Sequence, residues 1–139
     1  MNKRRFFIKS SALALFSMLF PTFVFSRKNR MPNVLILGDS ISIGYYPFVK
    51  EALEGRVNLS RPVVPGGGFQ NCAGTTNGIK KISEWIGEKQ WDLIHFNFGL
   101  HDIKHVNPQT GKNSKSFDDP QQASPEQYKK NLKFIVKKL

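Results

Sequence analysis

The sequence predicts an α/β fold with a doubly wound parallel sheet, and two observations carry that prediction. Short apolar runs typical of strands alternate with stretches in which apolar residues recur at helical spacing. The resulting order is strand, helix, strand, helix, strand, helix, which is a series of βα units. The 139 residues allow one ordinary domain, and no internal repeat or low-complexity segment interrupts it.

The first strand is predicted at residues 34–37, an unbroken Val-Leu-Ile-Leu run typical of a strand that is buried on both faces. The chain then turns through Gly-Asp-Ser at residues 38–40 and enters a helix. Ser40 therefore lies just beyond the carboxyl end of a strand, at the edge where open α/β sheets bind ligands. The N-terminus of that helix suits the negative charge that develops on an attacked ester carbonyl. The alternative is that Asp39 and Ser40 simply cap the helix.

The remaining elements are each indicated by periodicity or by turn residues. In chain order they are a loop or helix entry at 44–47, a short helix at 48–53, a strand at 56–60, a Gly- and Pro-rich loop at 62–68, a helix at 76–86, a strand at 91–98 and a polar loop at about 106–123.

The last helix has a clear predicted start. Ser124 is placed as its N-cap, a proline follows at the first helical position, and Gln127 stands where a capping box has glutamine. The apolar residues that follow are spaced for one buried face: Tyr128, Leu132, Ile135, Val136 and Leu139. The helical pattern reaches Leu139 without a C-cap glycine.

Residues 1–26 are predicted to be an export signal, which leaves 27–139 as the domain. A basic head precedes residues 10–25, which are almost wholly apolar, uncharged and short for a membrane span. Residues 4–9, Arg-Arg-Phe-Phe-Ile-Lys, resemble the twin-arginine signal, so the expected partner is that export machinery. We expect cleavage near Arg27 and a periplasmic or extracellular product. The alternative is an uncleaved N-terminal membrane anchor.

Charge and cysteine content exclude several function classes. Removal of residues 1–26 lowers the formal charge from +11 to +7, because that segment carries four basic residues and no acidic ones. The remaining lysines are concentrated in the last helix and indicate a solvated face. Nucleic-acid binding would need a recognised module or aromatic stacking platforms, and none is evident. Cys72 is the single cysteine, which rules out an intrachain disulfide. No Cys/His cluster has zinc-site spacing, so neither a metal nor an organic cofactor is expected.

Candidate functional residues follow all three predicted strand–helix transitions. The corresponding loops are residues 38–42, 71–76 and 99–102. Because the carboxyl ends of parallel strands meet at one edge of a sheet, we expect these loops to border a common crevice.

In these loops the chain resembles the SGNH, or GDSL-type, hydrolases, which are serine esterases on a flavodoxin-like α/β sheet. The resemblance extends from about Asn33 to the end of the chain. Gly-Asp-Ser at 38–40 matches the family's first block, whose serine is the nucleophile, here Ser40. Gly74 looks like the second-block glycine, whose N–H helps to form the oxyanion hole. Residues 99–102, Gly-Leu-His-Asp, look like the third block, usually Gly-x-Asn-Asp.

Two departures from the family pattern matter. His101 stands where the family has an asparagine that binds the oxyanion; an imidazole N–H can donate as well. The family's final Asp-x-x-His block is not found up to residue 139, so the chain is expected to be the N-terminal part of the domain, truncated after about three strands.

Asp-Ile-Lys-His at 102–105 spells that block but overlaps the third one, and His105 is instead predicted to be an exposed loop residue. His95, inside a strand, is predicted to pack in the core or on the sheet surface.

The resemblance implies an exported serine hydrolase of carboxylic esters that works through an acyl-enzyme. Ser40 would attack the carbonyl, while the N–H groups of Ser40 and Gly74 and the His101 side chain would bind the oxyanion. A histidine beyond residue 139 would be the base. The expected substrates are small acyl esters, such as acetyl groups on a glycan. The competing hypothesis is a truncated, non-catalytic fragment, or a protein that binds a sugar or an anion without turnover. The oligomeric state stays open.

Overall fold

A computed structural model describes residues 30–139, so the predictions on the export signal lie outside the described residues. The described chain is an α/β protein with a three-stranded parallel sheet and three helices. In chain order the elements are β1 (Asn33–Gly38), α1 (Ser40–Ala52), β2 (Asn58–Ser60), α2 (Thr75–Ile86), β3 (Leu93–Asn97) and α3 (Pro125–Lys138). This confirms the alternation predicted from the sequence. The strands β2 and β3 are shorter than predicted.

The central strand of the sheet is β1, and the strand order is β2-β1-β3. Both neighbours run parallel to it. The order is compatible with a flavodoxin-like layout, in which the chain first moves to one side of β1 and then crosses to the other. The direction in which successive strands are added to the sheet reverses between β1 and β3. Gly38 and Asn97 form the last residue pair of these two strands.

Helices cover both faces of the sheet, as a doubly wound fold requires. On one face a core cluster joins β1 to α2 and α3; its buried members are Leu35, Leu37, Cys72, Ile82, Trp85 and Ile135. On the other face Val34 and Ile36 border a groove together with Tyr45 and Val49 of α1. The central strand is therefore buried on both sides, which explains its unbroken apolar run.

The helix α1 corrects the prediction of a loop or helix entry at residues 44–47 and a short helix that begins at 48. It starts at Ser40 and continues through Pro47 to Ala52. Proline inside a helix removes one backbone hydrogen bond and is unfavourable on its own. Tertiary contacts hold the helix in place here: Tyr46 is buried, and its hydroxyl donates to the Leu59 carbonyl over 3.2 Å.

The helix α3 begins as predicted but buries a partly different face. The Ser124 side chain accepts a hydrogen bond from the Gln127 N–H over 3.2 Å, which confirms the N-cap. The buried residues are Asn131 and Ile135, whereas Val136, predicted on the apolar face, is 56% exposed. Of the helices within residues 30–139, none has the length and apolar character that a membrane crossing needs.

Candidate functional site

The candidate site lies at the carboxyl ends of β1 and β3, where Gly38 pairs with Asn97. The loops that carry Ser40 and His101 both begin within a residue or two of this pair. Only a residue without a Cβ fits at position 38, because a Cβ there would lie 1.8 Å from Asn97 Oδ1 and 2.8 Å from Ser42 Oγ. Glycine at position 38 therefore leaves the space that the side chains of Asn97 and Ser42 occupy beside the end of β1.

Ser40 is the first residue of α1, and its side chain is exposed. Asp39 is the N-cap: it is only 3% exposed, and its carboxylate accepts the Ile41 N–H over 3.0 Å. The capping interpretation is therefore correct for Asp39. Within residues 30–139 no hydrogen bond holds the Ser40 hydroxyl, which leaves it at the positive end of the helix dipole with access to solvent.

The second loop, residues 71–76, is tied to the end of β1 by a hydrogen bond from the Cys72 N–H to the Gly38 carbonyl over 3.0 Å. Ala73 has a positive φ of 54°, which is uncommon for a residue with a Cβ. Backbone held in this region is concentrated at functional sites. The next residue, Gly74, is the N-cap of α2, and no acceptor for its N–H is found in the described part of the chain. That donor is free for the oxyanion role predicted for it.

The second and third loops are joined through Asp102, which is only 1% exposed. Its carboxylate accepts the Thr75 N–H over 2.9 Å and the Thr75 hydroxyl as well. The Thr75 hydroxyl oxygen in turn accepts from Asn131 Nδ2 of α3 over 3.1 Å. Asp102 thus caps α2 from outside that helix, and a Cβ at Gly74 would lie 2.6 Å from its Oδ2 atom. The placement of the Asp102 carboxylate therefore requires a residue without a Cβ at position 74.

Three buried polar atoms near these loops have no hydrogen-bond partner within the described residues. They are Asn97 Oδ1, Thr76 Oγ1 and His101 Nδ1. Buried polar atoms are nearly always satisfied in proteins, so each of these atoms needs a partner, which a water molecule, an ion or a ligand can supply. Asn97 and Thr76 were not predicted from the sequence, where the only signal was a polar residue at the end of the third strand. With Nδ1 unpartnered, either imidazole nitrogen of His101 can carry the donor proton.

The other two histidines are engaged elsewhere. His95 lies on the sheet surface, and its Nε2 is 3.1 Å from the Tyr45 hydroxyl, which confirms sheet-surface packing. His105 is half-buried: its Nδ1 bonds to the Asp119 carbonyl, and its ring packs edge-on against Phe117. The prediction that His105 is exposed is therefore wrong, because the polar loop folds back over it.

Cys72 is fully buried beneath the site, and burial raises the pKa of its thiol. The thiol therefore stays protonated and is a weak nucleophile, so Ser40 is the better candidate for attack on a carbonyl. Between residues 30 and 139, no group of three His, Cys, Asp or Glu side chains is arranged to hold a metal ion.

The chain matches no family model, no curated protein and no solved structure. The class of protein is therefore defined by the fold and the site alone. It is an α/β protein with a parallel sheet, an exposed serine at a helix N-terminus and two joined loops at the point where the strand order reverses.

Proposed function

We propose that the protein is an exported serine hydrolase of carboxylic esters, and that its sheet is the N-terminal part of an SGNH-type, flavodoxin-like domain. One observation carries the proposal: the exposed Ser40 begins α1 at the sheet edge where the Gly74 and His101 loops also emerge. The proposed substrates are small acyl esters, such as acetyl groups on a glycan.

In the proposed reaction the Ser40 oxygen forms a bond to the ester carbonyl carbon, and its proton passes to a general base. The carbonyl oxygen becomes negative and accepts hydrogen bonds from the N–H groups of Ser40 and Gly74 and from the His101 imidazole. The alcohol leaves with a proton returned by the base, and water then hydrolyses the acyl-enzyme. The hydrogen bonds from the Thr75 N–H and hydroxyl to Asp102 support this arrangement, because they hold the second loop against the third.

In the proposed reaction the general base is a residue outside the part of the protein that the structure describes. His95 and His105 bond to Tyr45 and to Asp119, and His101 is placed at the oxyanion. A serine hydroxyl without a base is a poor nucleophile, so residues 27–139 alone are expected to turn over esters only slowly. Free imidazole supplied in solution can act as a substitute base.

The test is p-nitrophenyl acetate hydrolysis with and without added imidazole. The parent protein and the variants Ser40→Ala and Ser83→Ala are compared, because Ser83 is also an exposed helical serine but lies far along α2. Imidazole alone hydrolyses this ester, so the reference is protein-free buffer at the same imidazole concentration. We expect hydrolysis above that reference for the parent and for Ser83→Ala, and no excess for Ser40→Ala. Equal rates for Ser40→Ala and the parent would refute the assignment of Ser40 as nucleophile.

A binding protein without turnover is the second candidate. It is favoured by the fact that no histidine is hydrogen-bonded to Ser40 within residues 30–139. If this candidate is correct, the protein binds an acetylated sugar with the same affinity before and after Ser40→Ala, and no acetate is released. Calorimetric titration with acetate detection separates the two functions.

A further inference from the structure

Arg61 is a buried arginine that the proposed chemistry does not use. It directly follows β2, and only 6% of it is exposed. Its Nη2 atom donates to Ser42 Oγ over 3.2 Å and to the Gln70 carbonyl over 3.3 Å. The guanidinium carbon lies 5.5 Å from the ring centre of Tyr46 and 5.1 Å from that of Phe69. These contacts place a positive charge beside the loops of the candidate site.

No carboxylate pairs with Arg61 in the part of the chain that the structure describes. The ion pairs found there are Arg30–Asp92 and Lys81–Glu84. Burial lowers the pKa of Arg61, yet a guanidinium remains charged at neutral pH. Its Nε and Nη1 atoms are buried without a hydrogen-bond partner. Burying an unpaired cation is strongly unfavourable. The usual role of a charged residue, to keep the protein surface soluble, therefore does not explain why an arginine stands at this buried position.

The two bonds of Arg61 Nη2 reach two different loops of the site. Ser42 Oγ, which accepts one of them, donates to the Asp39 carbonyl over 2.7 Å, immediately before the candidate nucleophile. Gln70, whose carbonyl accepts the other, leads directly into the loop at residues 71–76. One guanidinium therefore connects the nucleophile turn to the loop that carries the oxyanion glycine.

We infer that Arg61 is a positioning residue of the proposed esterase, which holds the Ser40 turn and the Gly74 loop in the relative placement that acyl transfer needs. The inference rests on the proposed function. Arg61 acts through Ser42 and Gln70 and does not touch the substrate. Misplacement of reacting groups by about 1 Å lowers rates about 100-fold, and a loss of that order is expected without the guanidinium.

The first test compares Arg61→Met with Arg56→Met, since Arg56 is an exposed arginine close by in the chain. The measurement is imidazole-dependent, Ser40-dependent hydrolysis of p-nitrophenyl acetate. We expect Arg61→Met to lower kcat about 100-fold with KM nearly unchanged, and Arg56→Met to match the parent. Arg61→Lys keeps the charge but not the planar fork, and it should recover part of the rate. Equal kcat for Arg61→Met and the parent would overturn the inference.

The second test uses Ser42→Ala, which removes one acceptor of Arg61 and leaves the charge intact. If Arg61 acts through Ser42, the double variant Ser42→Ala/Arg61→Met loses no more activity than Arg61→Met alone, because both changes break the same connection. Losses that multiply in the double variant would show independent roles and would contradict the inference.

Hydrogen exchange supplies a measurement that does not require activity. The Ile43 N–H bonds to the Asp39 carbonyl over 3.1 Å, and the Cys72 N–H bonds to the Gly38 carbonyl over 3.0 Å. Arg61→Met should accelerate exchange of both amides while amides of α3 keep their parental rates. Acceleration of all of them together would indicate general destabilisation and would overturn the inference. If Arg61→Met accelerates exchange only at these two amides, and the parent shows no Ser40-dependent turnover, the proposed function alone is refuted.

Discussion

Replacing Gly74 with alanine should destabilise the fold by forcing Asp102 away from the N-terminus of α2. The added Cβ would lie 2.6 Å from Asp102 Oδ2 and 2.8 Å from its Cγ, inside contact distance. Asp102 cannot move freely, because its carboxylate holds both the N–H and the hydroxyl of Thr75. The backbone at Gly74 is extended, with φ −99°, so alanine fits the chain and the clash alone is at issue.

The magnitude follows from the two ways in which the clash can be relieved. Overpacking of a closely packed site costs about 1–3 kcal/mol, and loss of a hydrogen bond to a charged group costs about 1.5–3 kcal/mol. Since Asp102 is buried, one of these penalties applies in full. We expect the free energy of unfolding to fall by about 1–3 kcal/mol.

Urea denaturation followed by circular dichroism measures this change. Gly44→Ala in α1 is the matched control, because a Cβ there meets no atom within 4 Å. It should stabilise the protein by about 0.5–1 kcal/mol through helix propensity. In an Asp102→Ala background, Gly74→Ala should lose most of its effect, since the clashing carboxylate is gone. A Gly74→Ala protein as stable as the parent would refute the steric account.

Three further predictions concern the site and the N-terminus. His101→Asn should retain Ser40-dependent hydrolysis, because the amide can donate the same hydrogen bond, whereas His101→Ala should lower kcat about 100-fold; equal rates for His101→Ala and the parent would remove it from the site. Cys72 should react with a thiol reagent only after unfolding, since the thiol is buried and its pKa is raised, and fast reaction of the folded protein would contradict this. Changing Arg4 and Arg5 to lysine should leave the precursor uncleaved in the cytoplasm on an immunoblot, while normal processing would exclude the twin-arginine route.

Much of the fold was predictable because the strongest signals are local. The apolar run of β1 and the isoleucine spacing of α2 each predict one element without reference to the rest of the chain. The start of α3 at Ser124 depends on a hydrogen bond between residues three apart. The predicted helix began only after Pro47, because proline is unfavourable inside a helix and the sequence does not reveal that Tyr46 is buried against β2.

The candidate site was predictable only where its residues follow strands. Ser40, Gly74 and His101 all lie at strand–helix transitions, and the structure places their loops at the carboxyl edge of the sheet. Asn131 and Arg61 were missed because their burial depends on partners far away in sequence, Thr75 for the amide and Ser42 for the guanidinium. A polar residue in a sequence pattern is expected to face solvent, and only tertiary packing reverses that expectation.

The central position of β1 also bears on how the chain acquires its structure during synthesis. The strand β1 is made first, yet its longer pairing is with β3, which ends at Asn97. Until the ribosome has released that segment, the Val-Leu-Ile-Leu run has one short neighbour, β2, and an unsatisfied row of backbone groups. Non-local pairing of this kind slows folding and leaves nascent chains prone to aggregation. A chaperone that shields residues 33–38 during elongation would therefore raise the yield of folded protein more than one that acts after release.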